Sequence, residues 1–231
     1  MSSFGGIIKT IIRRNSVATR TRGRAIRTFA NKLGLVYFGA VDQRTDDHEV
    51  IRGLTVSTTH RDDHYAVGSF NDYDVSLVDR YDILIDPQGK ETDHNWLIFQ
   101  INLENGESFP HTFFNPIGHS IDAYSKFFTS FSHMSMANLI FEGDHSNEFS
   151  TRYQIFATAG RALEIEKIFN TEVTKTIAAR LWPHAIEILD NKLFIYTIEP
   201  KLTETLLETA ISSGLWLAQL IDARDDSTTQ D

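Results

Sequence analysis

Asp62-Asp-His-Tyr-Ala-Val-Gly-Ser-Phe70, then Asn71-Asp72, then Tyr73-Asp-Val-Ser-Leu-Val-Asp-Arg-Tyr-Asp-Ile-Leu-Ile85: the fold of this chain is decided here. Tyr73, Val75, Leu77, Tyr81, Ile83 and Ile85 share one face, while Asp74, Ser76, Arg80 and Asp82 share the other. A period of two over that length signals a strand with one buried face. Asn71-Asp72 are residues that tolerate the left-handed backbone of a two-residue hairpin turn. Counting outward from Phe70 opposite Tyr73 sets His64 opposite Asp79, Asp63 opposite Arg80 and Arg61 opposite Asp82. All three pairs are charge-complementary, which a register slipped by one would not give.

A second alternating run follows. Leu97, Phe99, Ile101 and Leu103 alternate with Trp96, Ile98, Gln100 and Asn102, and Asn105-Gly106 is a strong hairpin signal. The expected return strand, 108–114, would pair Phe113 with Ile98 and Phe114 with Leu97. Pro110 has no N–H to give a ladder, so this strand is expected at a sheet edge or at a bulge.

Outward from this meander, Phe4, Ile7, Ile8, Ile11 and Ile12 lie at helical spacing with Lys9, Arg13 and Arg14 around them, an amphipathic helix with a basic flank. A second helix is expected over 24–33, closed by Gly34, and a first strand over 35–41. The run 42–49 reads as a loop and 50–57 as a further strand. Downstream, a helix is expected over 120–131, a turn over 143–148 and a strand over 149–157. Helices over 162–169 and 171–181 break at Asn170-Thr171, and Pro183 ends them. A hairpin across Asp190-Asn191 and a helix over 202–221 complete the body. The polar tail from Arg224 reads as disordered. The fold expected is α+β: a largely antiparallel sheet, meander plus C-terminal hairpin, with helices on one face, preceded by the basic amphipathic helix. The segments are a 1–34 arm, a 35–222 α+β domain and a 223–231 tail.

Composition narrows function by exclusion. The 231 residues include no cysteine, which removes disulfides, thiolate metal sites and cysteine nucleophiles. There is no Asn-x-Ser/Thr glycosylation acceptor, and the apolar runs are far short of a membrane span. The net charge of −9 conceals a division. Residues 1–34 carry eight cations and no acid, and the remaining 197 residues hold 14 cations against all 31 acids, net −17. Such an arm can lie on an anionic membrane with its isoleucines buried and its arginines at the headgroups. It can fold back on the acidic body as a clasp, or serve as an acid-free targeting peptide. Nucleic acid suits it less, because a −17 body repels phosphates and the arm lacks interleaved aromatics.

Chemistry is sparse. His60 and His64 share the spacing of a metal-binding pair, but no glutamate base accompanies them, and Arg61, Asp63 and His64 are already used in the cross-strand pairs above. His64 facing Asp79 has the form of a base with its orienting carboxylate, yet no nucleophile can be named for it. Phosphate-binding, dinucleotide, nucleophile-elbow and calcium-loop signatures are absent. His94, His111, His119, His133 and His145 read as surface histidines, and Trp96, Trp182 and Trp216 as core anchors.

The string Val75-Ser-Leu-Val-Asp79-Arg-Tyr81, preceded by a glycine and followed by a Trp-containing strand and Phe113-Phe-Asn-Pro116, resembles uncharacterised bacterial α+β domains of unknown function. The resemblance spans roughly residues 33–115 and thinly the last hairpin and helix. Members often carry a hydrophobic or basic N-terminal segment; this chain departs from the membrane-anchored ones in having no spanning segment. The family implies no activity.

The expectation is a non-enzymatic, cytoplasmic protein, peripheral at the inner face of the membrane, without cofactor or metal. Its partner would be an anionic membrane surface or another protein, met through Phe4, Ile7, Ile8, Lys9, Ile11, Ile12, Arg13 and Arg14. The alternative is a small hydrolase or metal-dependent enzyme using His60, His64 and Asp79.

Overall fold

The computed structural model describes residues 17–39, 60–85, 91–104, 109–118, 133–137, 146–197 and 201–225. The expected N-terminal amphipathic helix, the 42–49 loop, the 50–57 strand, the Asn105-Gly106 turn and the 120–131 helix lie outside these residues. Helices α1 (Val17–Lys32), α2 (Ser146–Arg152), α3 (Ala162–Ile168), α4 (Thr171–Arg180) and α5 (Glu204–Asp225) are described. So are strands β1 (Val36–Gly39), β2 (Arg61–Phe70), β3 (Tyr73–Ile85), β4 (Glu91–Asn102), β5 (Thr112–Pro116), β6 (Met134–Met136), β7 (Tyr153–Thr158), β8 (Ala185–Leu189) and β9 (Lys192–Thr197). The strands form one antiparallel sheet in the order β1-β2-β3-β4-β9-β8-β5-β7-β6. The α+β class is as expected.

Local turn chemistry sets the hairpins. Asn71 and Asp72 take left-handed backbone (φ 49° and 66°) and bring Phe70 opposite Tyr73; Asp190 and Asn191 do the same between β8 and β9. The Asn170 side chain accepts a hydrogen bond from the Val173 N–H at 3.0 Å and so caps α4. The expected turn at 143–148 gives way in its described part to α2, which occupies the first residues of the expected 149–157 strand, so that strand starts at Tyr153.

The second hairpin is corrected. β4 pairs with β9, not with the segment after Asn105-Gly106: Ile98 faces Tyr196 and Leu97 faces Thr197. β5 is an inner strand held by β7 on one side and β8 on the other, with Phe113 opposite Phe156 and Glu187. Pro110 precedes β5, and its carbonyl accepts from the Thr112 hydroxyl at 2.8 Å, so the proline disturbs no ladder. The reason lies in the side chains of β4. Trp96, Leu97, Ile98, Phe99 and Ile101 are all buried, so this strand needs cover on both faces and a partner on both edges. The apolar β9 supplies the second edge.

One sheet face carries Val75, Leu77, Leu97, Phe99, Ile101 and Ile195, and the described helices pack on it. α1 contributes Ile26, Phe29 and Ala30, with the Phe29 ring edge-on to Phe99 at 6.2 Å. α5 contributes Leu207, Ala210, Ile211, Leu217, Ala218 and Ile221. Gly214 lets it approach closely, because a Cβ there would fall 2.5 Å from Ile195 Cδ1 and 2.9 Å from Ile101 Cδ1. Residues 19–33, read from sequence as part of an arm, thus share the core of the body. The opposite face holds a second buried cluster of strand residues, including Tyr65, Val78, Trp96, Ile98, Phe113, Phe194 and Tyr196. Trp96 is the core anchor expected, whereas Trp182 is 39% exposed beneath the Arg152 guanidinium.

Candidate functional site

The residues expected to carry chemistry converge where α1 crosses the β1–β3 end of the sheet. β2 and β3 keep the turn-set register from Phe70 back to Ala66, which faces Leu77. Beyond that the register slips: Asp63 faces Asp79, Asp62 faces Arg80 and Arg61 faces Tyr81. The expected facing pairs His64–Asp79, Asp63–Arg80 and Arg61–Asp82 are therefore corrected. The cause is a bulge at His64, whose φ of 56° lies in the left-handed region that a non-glycine residue rarely adopts. Because side chains alternate along a strand, one extra residue swaps the faces of everything before it.

The slip re-partners the charges. Arg80, with no exposed surface, grips Asp62 through two bonds, Nε to Oδ1 and Nη2 to Oδ2, each 2.7 Å. Arg61 turns to Asp63 on its own strand at 2.9 Å. Asp79 is claimed by Arg22 of α1, whose Nε lies 2.9 and 3.0 Å from the two carboxylate oxygens and whose Nη2 lies 2.8 Å from Oδ1. Burial pushes the Asp79 carboxyl above its ordinary pKa, opposed by the charges of Arg22 and His64. Burial also raises the Tyr37 hydroxyl, which stays neutral and hydrogen bonds His64 Nδ1 at 2.6 Å.

His64 and Asp79 are thus neighbours, but each has another partner. Both oxygens of Asp79 bond Arg22, and the imidazole is held by Tyr37. Its other edge, Cε1 and Nε2, abuts Gly23, where an added Cβ would fall 2.4–2.5 Å away. The helix fills the space a substrate would need at that edge. His60 is half-buried just ahead of β2. Among the described residues no three His, Asp or Glu side chains converge at metal-ligating distance. This arrangement fastens a helix to a sheet.

The outward side of α1 is basic. Arg20, Arg24 and Arg27 are exposed, and the Arg27 guanidinium sits 5.7 Å from the centroid of the Tyr37 ring. Lys32 at the far end bonds Glu204 at 2.6 Å, and also Glu208. Phe4, Ile7, Ile8, Lys9, Ile11, Ile12, Arg13 and Arg14 lie outside the described residues.

Sequence reasoning missed a second polar cluster. Glu187 of β8, wholly buried, accepts from His111 Nε2 at 2.7 Å and from the Tyr196 hydroxyl. His111 Nδ1 in turn meets His133 Nε2 at 3.1 Å. His111, read from sequence as a surface histidine, is therefore a buried one. The available signal was Glu187 itself, a single charge inside the apolar run Ala185–Leu189, because a carboxylate buried there requires donors.

No protein-family model matches the chain, and no curated protein matches it in sequence. Among solved structures, the crystal structure of the mycobacterial trehalose monomycolate transport factor A, TtfA, is similar with a TM-score of 0.57. The match covers 86% of this chain and 93% of that one at 9% sequence identity. The likeness is one of fold.

Proposed function

We propose that this chain is a non-enzymatic binding protein that works at an anionic membrane surface, which it meets through the basic, isoleucine-striped segment 4–14. The observation that carries this reading is the anchorage of α1. A segment of 34 residues with eight cations and no acid ends in a helix clamped to the sheet by Arg22–Asp79 and by Ile26, Phe29 and Ala30. The helix that directly follows this cationic sequence is therefore a rigid base. The fold shared with a trehalose monomycolate transport factor is compatible with work on lipid, though it specifies none. Among the described residues no helix is long and apolar enough to cross a membrane, which suits surface association. The bond of His64 to Tyr37 and of Asp79 to Arg22 favours binding over the hydrolase alternative.

The test is sedimentation with vesicles of phosphatidylglycerol and phosphatidylcholine. The intact chain is expected to pellet with the mixed vesicles at low salt, to detach as salt rises, and to ignore pure phosphatidylcholine. A chain starting at Val17 keeps α1 and its clasp, so it should stay folded yet bind much more weakly. An intact chain that stays in the supernatant with anionic vesicles would overturn the reading.

A further inference from the structure

We infer that Arg20, Arg24 and Arg27 form a fixed docking face for the phosphates of lipid headgroups, which sets the orientation of the body on the bilayer. The inference rests on the membrane reading above and deepens it by placing a contact on the folded domain.

The geometry follows from helix periodicity. At 3.6 residues per turn, positions 20, 24 and 27 fall within a sector of roughly 60°, about 10 Å long. The buried residues Gly23, Ile26, Phe29 and Ala30 fill the neighbouring sector, centred roughly 130° round the helix from the arginines. All three arginines are exposed. The chain has 31 acids, yet among the described residues neither Arg20 nor Arg24 has a carboxylate partner, while their helix neighbours Arg22 and Lys32 both do. Arg27 rests on the Tyr37 ring, which holds its guanidinium in place while leaving it exposed.

A row of exposed guanidiniums on an acidic protein, two of them with no carboxylate partner among the described residues, fits an anionic surface, and guanidinium pairs with phosphate through two parallel N–H bonds. The helix cannot turn the row away, because Arg22 and the Phe29 side fix its rotation. The face also lies a few residues downstream in sequence from the segment proposed to meet the membrane.

The test replaces all three, R20Q/R24Q/R27Q, in the intact chain, with K167Q/K175Q/K201Q as a control of equal charge change. These positions are exposed, so unchanged circular dichroism and melting temperature are expected and are measured first. Each arginine is expected to contribute about fivefold to partitioning onto phosphatidylglycerol vesicles, on the order of a hundredfold for the three. The control should lose far less, and the salt dependence should flatten only in the arginine variant. Anionic vesicle binding by the intact chain that survives the arginine triple unchanged, or falls equally in the control, overturns the docking face while leaving the membrane reading intact. An intact chain that ignores vesicles removes both. Tight duplex-oligonucleotide binding lost in the arginine triple would assign the face to another partner and also overturn it.

Discussion

Arg22 Nε lies 2.9 and 3.0 Å from the two oxygens of Asp79, joining the basic helix to the third strand across 57 residues of chain. The side chains are 10% and 13% exposed, so each charge has little water to fall back on. Removing one partner of such a pair strands the other. Arg22→Ala is expected to cost about 3–5 kcal/mol at neutral pH, and Arg22→Ala with Asp79→Ala less than the single change. The pH dependence has a definite sign. Asp79 titrates above its unfolded value of 3.8, so between those two pKa values the folded state holds the extra proton. Stability therefore falls as pH rises through that window, and without Arg22 the window widens upward. Denaturation of the single variant at pH 7 and pH 4 should show the larger deficit at pH 7. A deficit below about 1 kcal/mol at both would mean the pair behaves as a solvated one.

Gly23 and His64 make the second prediction. A glycine inside a helix normally costs roughly 0.5–1 kcal/mol relative to alanine. Here the alanine methyl would meet the imidazole at 2.4–2.5 Å, and moving the ring breaks its bond to Tyr37. Gly23→Ala is expected to destabilise the wild-type chain but to stabilise a His64→Gly background, where the obstacle is gone and the left-handed backbone is relaxed. Equal effects in the two backgrounds, read from urea midpoints at constant slope, would separate the two residues.

How much of this was legible in the sequence divides along chain separation. Turns at Asn71-Asp72 and Asp190-Asn191, the helix break at Asn170-Thr171 and the helix end before Pro183 are set by residues within a few positions, and all were readable. Partner choice was not. Nothing local to Trp96–Ile101 says whether its second edge takes the next strand or one 90 residues on; the volumes and faces of distant strands decide it. The bulge was hidden for another reason. Histidine signals a left-handed backbone only weakly, and the unbulged register offered charge pairs that looked sufficient. The slip exchanged Asp63 for Asp62 at Arg80 and freed Asp79 for an arginine 57 residues upstream.

His184 supplies an acid-sensitive element. Burial lowers its pKa to about 4 from 6.5. Between those values the unfolded chain holds a proton that the folded chain does not. Its contribution is therefore intact above pH 6.5 and lost as pH falls, by about 3 kcal/mol at pH 4. His184→Gln cannot titrate. The stability of the wild type relative to that variant should fall on going from pH 7.5 to pH 4, measured by urea denaturation. A difference that does not change with pH would place the imidazole in water.

Glu187 gives the last prediction. Its carboxylate sits among Phe113, Phe194 and Tyr196, and its two oxygens serve different donors, Oε1 the His111 ring and Oε2 the Tyr196 hydroxyl. Glu187→Leu keeps the volume but leaves both donors without this acceptor in a buried site, each at a cost of about 1–3 kcal/mol. Glu187→Gln keeps one acceptor oxygen and turns an N–H₂ toward the other donor, so its cost should be smaller. The revealing variant is Glu187→Leu with Tyr196→Phe, which deletes one orphaned hydroxyl along with its acceptor. It should be more stable than Glu187→Leu alone, although it carries one more change. Adding His111→Phe should recover more, since a buried polar group costs least when both halves of its pair are gone. Urea midpoints across the series give the test. If Glu187→Leu is as stable as wild type, the cluster holds nothing together. If Tyr196→Phe lowers stability equally with Glu187 and with Leu at 187, the carboxylate and hydroxyl are not coupled and the buried network is wrongly drawn.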